Sequence, residues 1–299
     1  MRMKRFVLSI SILTMSLALS AQSLVSFGGR GGFDFMVPGT KQTLHSKFGV
    51  AGAVDIGYTY YWHIGALNGL GIHTGISAGY ATSDCEIEFN QQYTNYDYLN
   101  NEMQYTTTGK TGISMTRAYA EVPLMVAFRS NKNIIAQLAL KAQYTFHSSI
   151  SQQVKEGSID AYFPAYDVHI TDKLITGQIA KEDMNNITLK GSAPTWNLIL
   201  AMRAGYEFRF NKKHIVGIAA YLDFNLWNNL SFPQIDQPHI SVTPITDPVS
   251  PVPTVTVNNA FSTVISRINP IQIGISVYYA LEYRLYKSFK SSEWEDLEM

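Results

Sequence analysis

Residues 271–286 alternate with period two. Ile271, Ile273, Ile275, Val277, Tyr279, Leu281, Tyr283 and Leu285 share one parity; the other carries Gln272, Gly274, Ser276, Glu282 and Arg284 among others. Successive side chains of a β-strand point to opposite faces, so the pattern predicts a strand with one apolar and one polar face. Soluble strands average about five or six residues. A strand that crosses a bilayer needs about nine to eleven, which this stretch exceeds.

The same alternation runs through residues 25–37, 48–62, 70–80, 117–129, 134–147, 196–210 and 215–227. The connectors alternate as well. Residues 64–69, 130–133 and 211–214 are short, whereas 83–116, 148–195 and 228–269 are long and 38–47 is of intermediate length. Short turns on one side and long loops on the other are the signature of an outer-membrane barrel. The expected fold is therefore all-β: an eight-stranded antiparallel up-and-down transmembrane β-barrel with long extracellular loops. Within those loops, 168–170 with 174–179 and 240–245 with 252–257 read as hairpins above the membrane.

Phe27, Phe33, Val50, Val54, Ile72, Ile76, Leu124, Leu140, Met202 and Ile218 fall on one face, the expected lipid side. Aromatic residues collect near strand ends: Tyr58, Tyr60, Trp62, Phe128 and Phe208 at one rim, Tyr80, Tyr144, Phe146 and Trp196 at the other. Two interfacial girdles are predicted. The opposite face carries Arg30, Asp34, Asp55, Arg117, Glu121, Lys141, Arg203, Glu207, Arg209, Asp223, Glu282 and Arg284, six acids and six bases. An eight-stranded barrel is only wide enough for its interior to be filled by side chains. The charges must then pair with one another, because an unpaired buried ion costs several kcal/mol. A plugged, charge-paired lumen is expected. The rival arrangement, a soluble sandwich, would make the charges a wet surface and the apolar face a core.

Arg2, Lys4 and Arg5 precede an apolar stretch at 6–19 and small residues at Ser20 and Ala21, the pattern of a secretory signal peptide. Residues 1–21 are read as that signal, 22–286 as the barrel and 287–299 as a short periplasmic tail. The single Cys85 has no intramolecular partner for a disulfide. Charged residues make up 15% of the chain and sum to zero, which offers no field for nucleic acid.

Catalytic signals are weak. Gly75-Ile76-Ser77-Ala78-Gly79 matches the nucleophile-elbow pattern, with His73 on the same strand face, but the motif requires a strand-to-helix turn and here lies within a strand. Gly28-Gly29-Arg30-Gly31-Gly32 lacks the lysine and following helix of a phosphate loop. The seven histidines show no metal spacing. No catalytic residue, metal or cofactor is assigned, and the chain is expected not to be an enzyme.

Arg30-Gly31-Gly32-Phe33 on the first strand and Tyr119-Ala120-Glu121-Val122-Pro123-Leu124 on the fourth resemble the porin-family outer-membrane β-barrel domains of Bacteroidota, including the PorT-like group. The resemblance extends over residues 25–286. It implies location in the outer membrane, contact with outer-membrane lipid and insertion by the barrel-assembly machinery. The chain departs from many such barrels in running past Tyr286 instead of ending on an aromatic residue. Pro123 predicts a missing ladder bond or a bulge. The leading expectation is a non-enzymatic barrel whose large external loops bind a protein or glycan, or serve envelope structure. The alternative, which PorT-like resemblance allows, is a narrow channel or an accessory subunit of a secretion or uptake machine.

Overall fold

A computed structural model of the chain describes residues 22–40, 42–64, 68–97, 99–130, 132–170, 177–178, 187–190, 196–210, 213–227, 237–243, 254–258 and 260–284. The expected signal peptide and C-terminal tail lie outside these residues.

Eight strands follow one another along the chain: β1 (Gln22–Gly39), β2 (Phe48–Ile64), β3 (Asn68–Tyr96), β4 (Glu102–Arg129), β5 (Ile134–Phe163), β6 (Trp196–Arg209), β7 (His214–Trp227) and β8 (Arg267–Arg284). Each pairs antiparallel with its sequence neighbours, and β8 returns to pair with β1 from Gln22↔Arg284 to Gly39↔Arg267. The sheet closes into an eight-stranded up-and-down barrel, and closure removes its edges. No described helix is long and apolar enough to cross a membrane; the spans are strands. At Pro123, which has no N–H to give, the β3–β4 ladder skips from Thr74↔Leu124 to Ser77↔Glu121. Pairing is lost there while the register is kept, so there is no bulge at this point.

The barrel wall is apolar outside. Phe27 (61% exposed), Ile76 (66%) and Leu124 (64%) stand outward, as do the other long aliphatics of that parity. Bare apolar side chains in a continuous belt would be untenable in water, and they match a lipid face. Aromatic pairs mark both rims, including Tyr60–Trp62 at 5.2 Å and Tyr144–Trp196 at 5.0 Å between ring centroids. These features make the molecule a membrane barrel.

Above the rim that carries the long connections, β3, β4 and β5 do not stop. They continue as a three-stranded ledge made of residues 83–96, 102–116 and 148–163. The sequence reading placed these stretches in loops. Their pattern is inverted relative to the barrel: Cys85, Ile87, Phe89, Ile113, Met115 and Ile150 are buried on the inner face, whereas Glu86, Glu88, Lys110 and Lys155 lie outside. Bulges between β4 and β5 at Lys110/Thr111 and Ala118/Tyr119 accompany the change. Polar-out packing of this kind belongs in water, so the inversion locates where the wall leaves the lipid.

The segment between β7 and β8 covers the ledge's inner face as a lid. It contains a hairpin of Ile240–Thr243 with Thr254–Val257 and a single helical turn, α1 (Ala260–Thr263). Phe261, Val264, Ile265 and Ile268 pack with Met36, Cys85, Ile87, Ile113 and Met115, and Ile240, Val242 and Val257 pack with Phe89, Met103 and Tyr105. This hairpin agrees with the sequence reading. Among the described residues the other expected hairpin is not seen: Val168–Ile170 pairs with β5 at Ala161–Phe163, and Gly177–Gln178 pairs with Ser158–Ile159, while 174–176 and 179 lie outside the described residues.

Candidate functional site

Two regions gather functional groups, the lumen and the ledge. In the lumen, Arg30 of β1 reaches Glu121 of β4 and lies 3.1 Å from Asp223 of β7. Lys141 of β5 sits 2.6 Å from the same Asp223 oxygen and 3.6 Å from Glu121. Two cations and two anions thus form one buried cluster across the barrel. Gln143 donates to Glu121 at 2.8 Å and accepts from Asn197 at 3.1 Å, which ties β6 to the cluster. Higher up, Arg117 meets Asp34 at 2.7 Å. Lower down, Arg129 meets Glu207 at 2.7 Å, Arg209 meets Glu282 at 3.3 Å, and Asp55 lies 3.8 Å from Arg203 and 3.9 Å from Arg30.

Of the twelve charged residues singled out from the sequence, the structure places eleven in these contacts. The twelfth, Arg284, pairs with Gln22 through its backbone, and its side chain lies outside the described residues. Sequence reasoning missed Arg129, whose guanidinium also stacks 4.4 Å from the Tyr61 ring. The signal was present: Arg129 shares the parity of Arg117 and Glu121, but it is the last residue of its strand and was passed over beside the turn. Tyr278, which donates to Glu207 at 2.7 Å, was also missed. Its ring is admitted because Gly217 faces it, and a β-carbon there would collide with the ring.

Apolar side chains flank the central cluster. Leu24, Tyr61, Ala127, Ile215 and Ala280 pack together toward the short-turn rim, beside the Arg129 and Arg209 ion pairs, and the Met36, Phe261 and Ile268 layer lies above. A cavity of about 30 Å³ remains, bordered by Arg30, Asp55, His73, Lys141, Arg203 and Glu207 among others. That is room for about two waters. His73 and Ser77 are both buried; the His73 Nδ1 atom pairs with the Thr59 hydroxyl at 2.7 Å, and no hydrogen bond joins His73 to Ser77. Both lie inside an unbroken strand, which is not a nucleophile elbow.

The ledge presents a hydrated face. Glu86 bridges Lys47 at 2.9 Å and Lys155 at 2.7 Å, and hydrogen bonds first from Lys155 and then from Lys47 hold its carboxyl down at about 2. Glu88 pairs with Lys110 at 3.3 Å and lies 3.3 Å from His45. Near the tip, Tyr162 donates to Asp167 at 2.7 Å and its ring lies 5.0 Å from that of His169, which is 3.5 Å from Asp160. Among the described residues, no group of three His, Cys, Asp or Glu side chains could hold a metal.

The chain matches no protein-family model and no curated protein. The resemblance to PorT-like domains therefore gains no independent support. Among solved structures, the Ail attachment invasion locus protein of Yersinia pestis, crystallised with the heparin analogue sucrose octasulfate, matches at 9% identity over 88% of this chain and 99% of that one, with a TM-score of 0.25. The outer-membrane protease OmpT of Escherichia coli matches at 8% identity over 88% and 96%, with a TM-score of 0.23. The translocator domain of the autotransporter NalP from Neisseria meningitidis matches at 8% identity over 94% and 98%, with a TM-score of 0.22. At these scores the likenesses carry no argument, and the barrel rests on its own strand order.

The expectation that the chain is not an enzyme is corrected to an open one: OmpT, an outer-membrane protease, stands among the matches, and enzymatic status is not established. That expectation weighed mainly lumen residues, whereas the ledge brings carboxylates, imidazoles and hydroxyls together in water. No catalytic assignment follows from 8% identity either.

Proposed function

We propose that this chain is an outer-membrane protein with an occluded lumen that holds its ledge outside the cell as a binding surface for another macromolecule. The observation that supports this reading is the inversion of the wall, from apolar-out with paired charges inside to polar-out with an apolar, lid-covered interior. An ion-paired core filled by its own side chains and covered above by an apolar layer makes a stiff stand and a poor pore. Outer-membrane lipid would contact the apolar belt, and the barrel-assembly machinery would insert it. A protein or glycan partner would meet the ledge.

Two measurements test the reading. An epitope placed after Asn100, in the turn between β3 and β4 where φ is 63°, should be labelled by antibody on intact cells. The purified protein should give no discrete steps in planar bilayers. A tag reached only after permeabilisation, or porin-like steps, would contradict it, and steps would favour the channel or transport-subunit alternative.

A further inference from the structure

The ledge has two edges, and they are treated differently. The β5 edge is covered in pieces by Val168–Ile170, Gly177–Gln178 and Ile187–Lys190. The β3 edge is covered by Thr43–Ser46 at Cys85–Glu88. From Phe89 to Tyr96, β3 pairs only with β4 among the described residues. The Asn90 N–H turns away from β4 to the Gln42 side chain at 3.3 Å, and the Tyr96 N–H turns to the Asn95 side chain at 2.9 Å. Even-numbered backbone groups therefore point off the sheet. Gln92 and Thr94 lie between them, both exposed, so their outward N–H and C=O groups form an open ladder.

Natural edges are guarded by lysine, proline, bulges or a covering segment. Residues 89–96 read Phe-Asn-Gln-Gln-Tyr-Thr-Asn-Tyr, with no charge and no proline, and their register with β4 is unbroken. Beside this edge runs an open groove of about 840 Å³ whose other wall is the lid, at Gln237, Pro238, Ser241, Thr256 and Asn258. Three contacts fix that wall in place. The Gln91 side chain accepts from the His239 N–H at 2.6 Å, and the Tyr93 hydroxyl accepts from the Val242 N–H at 2.8 Å. Asn95 donates to the Val242 carbonyl at 3.1 Å.

We propose that this groove takes an extended peptide of a partner protein, added as a strand to the Phe89–Tyr96 edge. Main-chain hydrogen bonds would supply the affinity, as they do wherever a peptide augments a sheet. None of the residues lining the groove is charged, which argues against nucleic acid or an anionic lipid headgroup as the occupant. A second copy is disfavoured by geometry. Two copies in one membrane are related by rotation about its normal, so their edges run the same way, whereas a self-complementary strand pair must be antiparallel.

This inference rests on the ledge being the working surface, which surface labelling and conductance test separately; either can hold while the peptide site fails. The probe is a fluorescein-labelled peptide copying residues 102–109, Glu-Met-Gln-Tyr-Thr-Thr-Thr-Gly, which β3 already pairs with across its other edge. Its anisotropy is read against the full chain in lipid nanodiscs. Saturable binding that does not change with salt is expected. Of two probes N-methylated at alternate residues, one in each phase, one should bind at least about tenfold more weakly. Thr94→Pro removes an outward N–H without touching the β4 ladder, and Thr94→Lys installs an edge guard. Both should weaken binding by about tenfold or more while keeping a heat-shifted band on gels. The proposal is overturned if the peptide shows no saturable binding, if both N-methylated probes bind undiminished, or if folded Thr94→Pro binds like the parent.

Discussion

Arg30 and Glu121 touch through the middle of the barrel although their strands, β1 and β4, stand three positions apart around the ring. The contact is possible because the lumen is narrow and because Gly28 and Gly32 flank Arg30 on its own face of β1. A β-carbon at either glycine would collide with β8, so the two strands pack backbone to backbone there. Lys141 completes the cluster by touching both Glu121 and Asp223. Removing Arg30 should leave two buried carboxylates to share the single Lys141 cation. Arg30→Met is expected to lower unfolding free energy by about 3–5 kcal/mol, read from the urea midpoint of the folded protein in lipid. A double change that also makes Glu121→Leu should recover part of that loss. A single-variant loss below about 1 kcal/mol would contradict the buried-cluster account.

Gly217 is a second pressure point. With Tyr278 occupying the space where its side chain would project, Gly217→Val should prevent closure of β7 against β8. The expected result is loss of the fast-migrating unboiled band; an unchanged band would show that Tyr278 can swing away at little cost.

The lid predicts a pH dependence. His239 lies 2.8 Å from the Thr111 hydroxyl and 3.5 Å from that of Thr263, with its ring edge-on to Phe89 at 4.9 Å. Burial pushes its pKa down to about 4, partly offset by the backbone hydrogen bond to Asn258. An undocked His239 would titrate near 6.5. Docking stability is therefore full above about pH 6.5 and falls as the pH drops toward 4, where the undocked form holds a proton that the docked form rejects. The total is about 3 kcal/mol at most. Limited proteolysis between β7 and β8 should accelerate from pH 7 to pH 5, and His239→Gln should abolish that acceleration. Acceleration retained in the variant would assign the effect elsewhere.

Gln152 pins the lid from the opposite side. It donates to the Asn258 carbonyl at 3.1 Å and accepts from the Ala260 N–H at 2.7 Å. Gln152→Leu should leave two buried backbone groups without partners and cost about 1–3 kcal/mol of lid docking. The same proteolysis assay should show faster cleavage at neutral pH with the barrel core uncut. Equal cleavage rates would mean that the apolar contacts of Phe261 and Ile265 hold the lid alone.

What the chain revealed in one dimension was the part governed by lipid. Ile271 to Leu285 must alternate because one face meets hydrocarbon and the other a charged interior, and such a rule is readable residue by residue. The ledge obeys the same period with the opposite sign. Cys85, Ile87 and Phe89 alternate with Asp84, Glu86 and Glu88, but against the phase of Ile72 and Ile76 on the same strand. A search for apolar-out strands passes over such a stretch and reads it as loop. On β5 the phase also slips at the bulge opposite Ala118/Tyr119, which breaks the count altogether. The charged residues of the lumen were visible by parity, yet which cation meets which anion depends on register and shear. Arg30 could not be matched to Glu121, 91 positions away, by spacing alone.

The belt of Phe27, Ile76 and Leu124 faces lipid around a closed ring. Fractionation of cells, followed by gels of boiled and unboiled samples, tests it directly. The protein should collect in the outer-membrane fraction and run as a compact, faster band until boiled. A soluble periplasmic protein with no heat shift would mean that the apolar belt is covered by protein, and the membrane barrel would be contradicted.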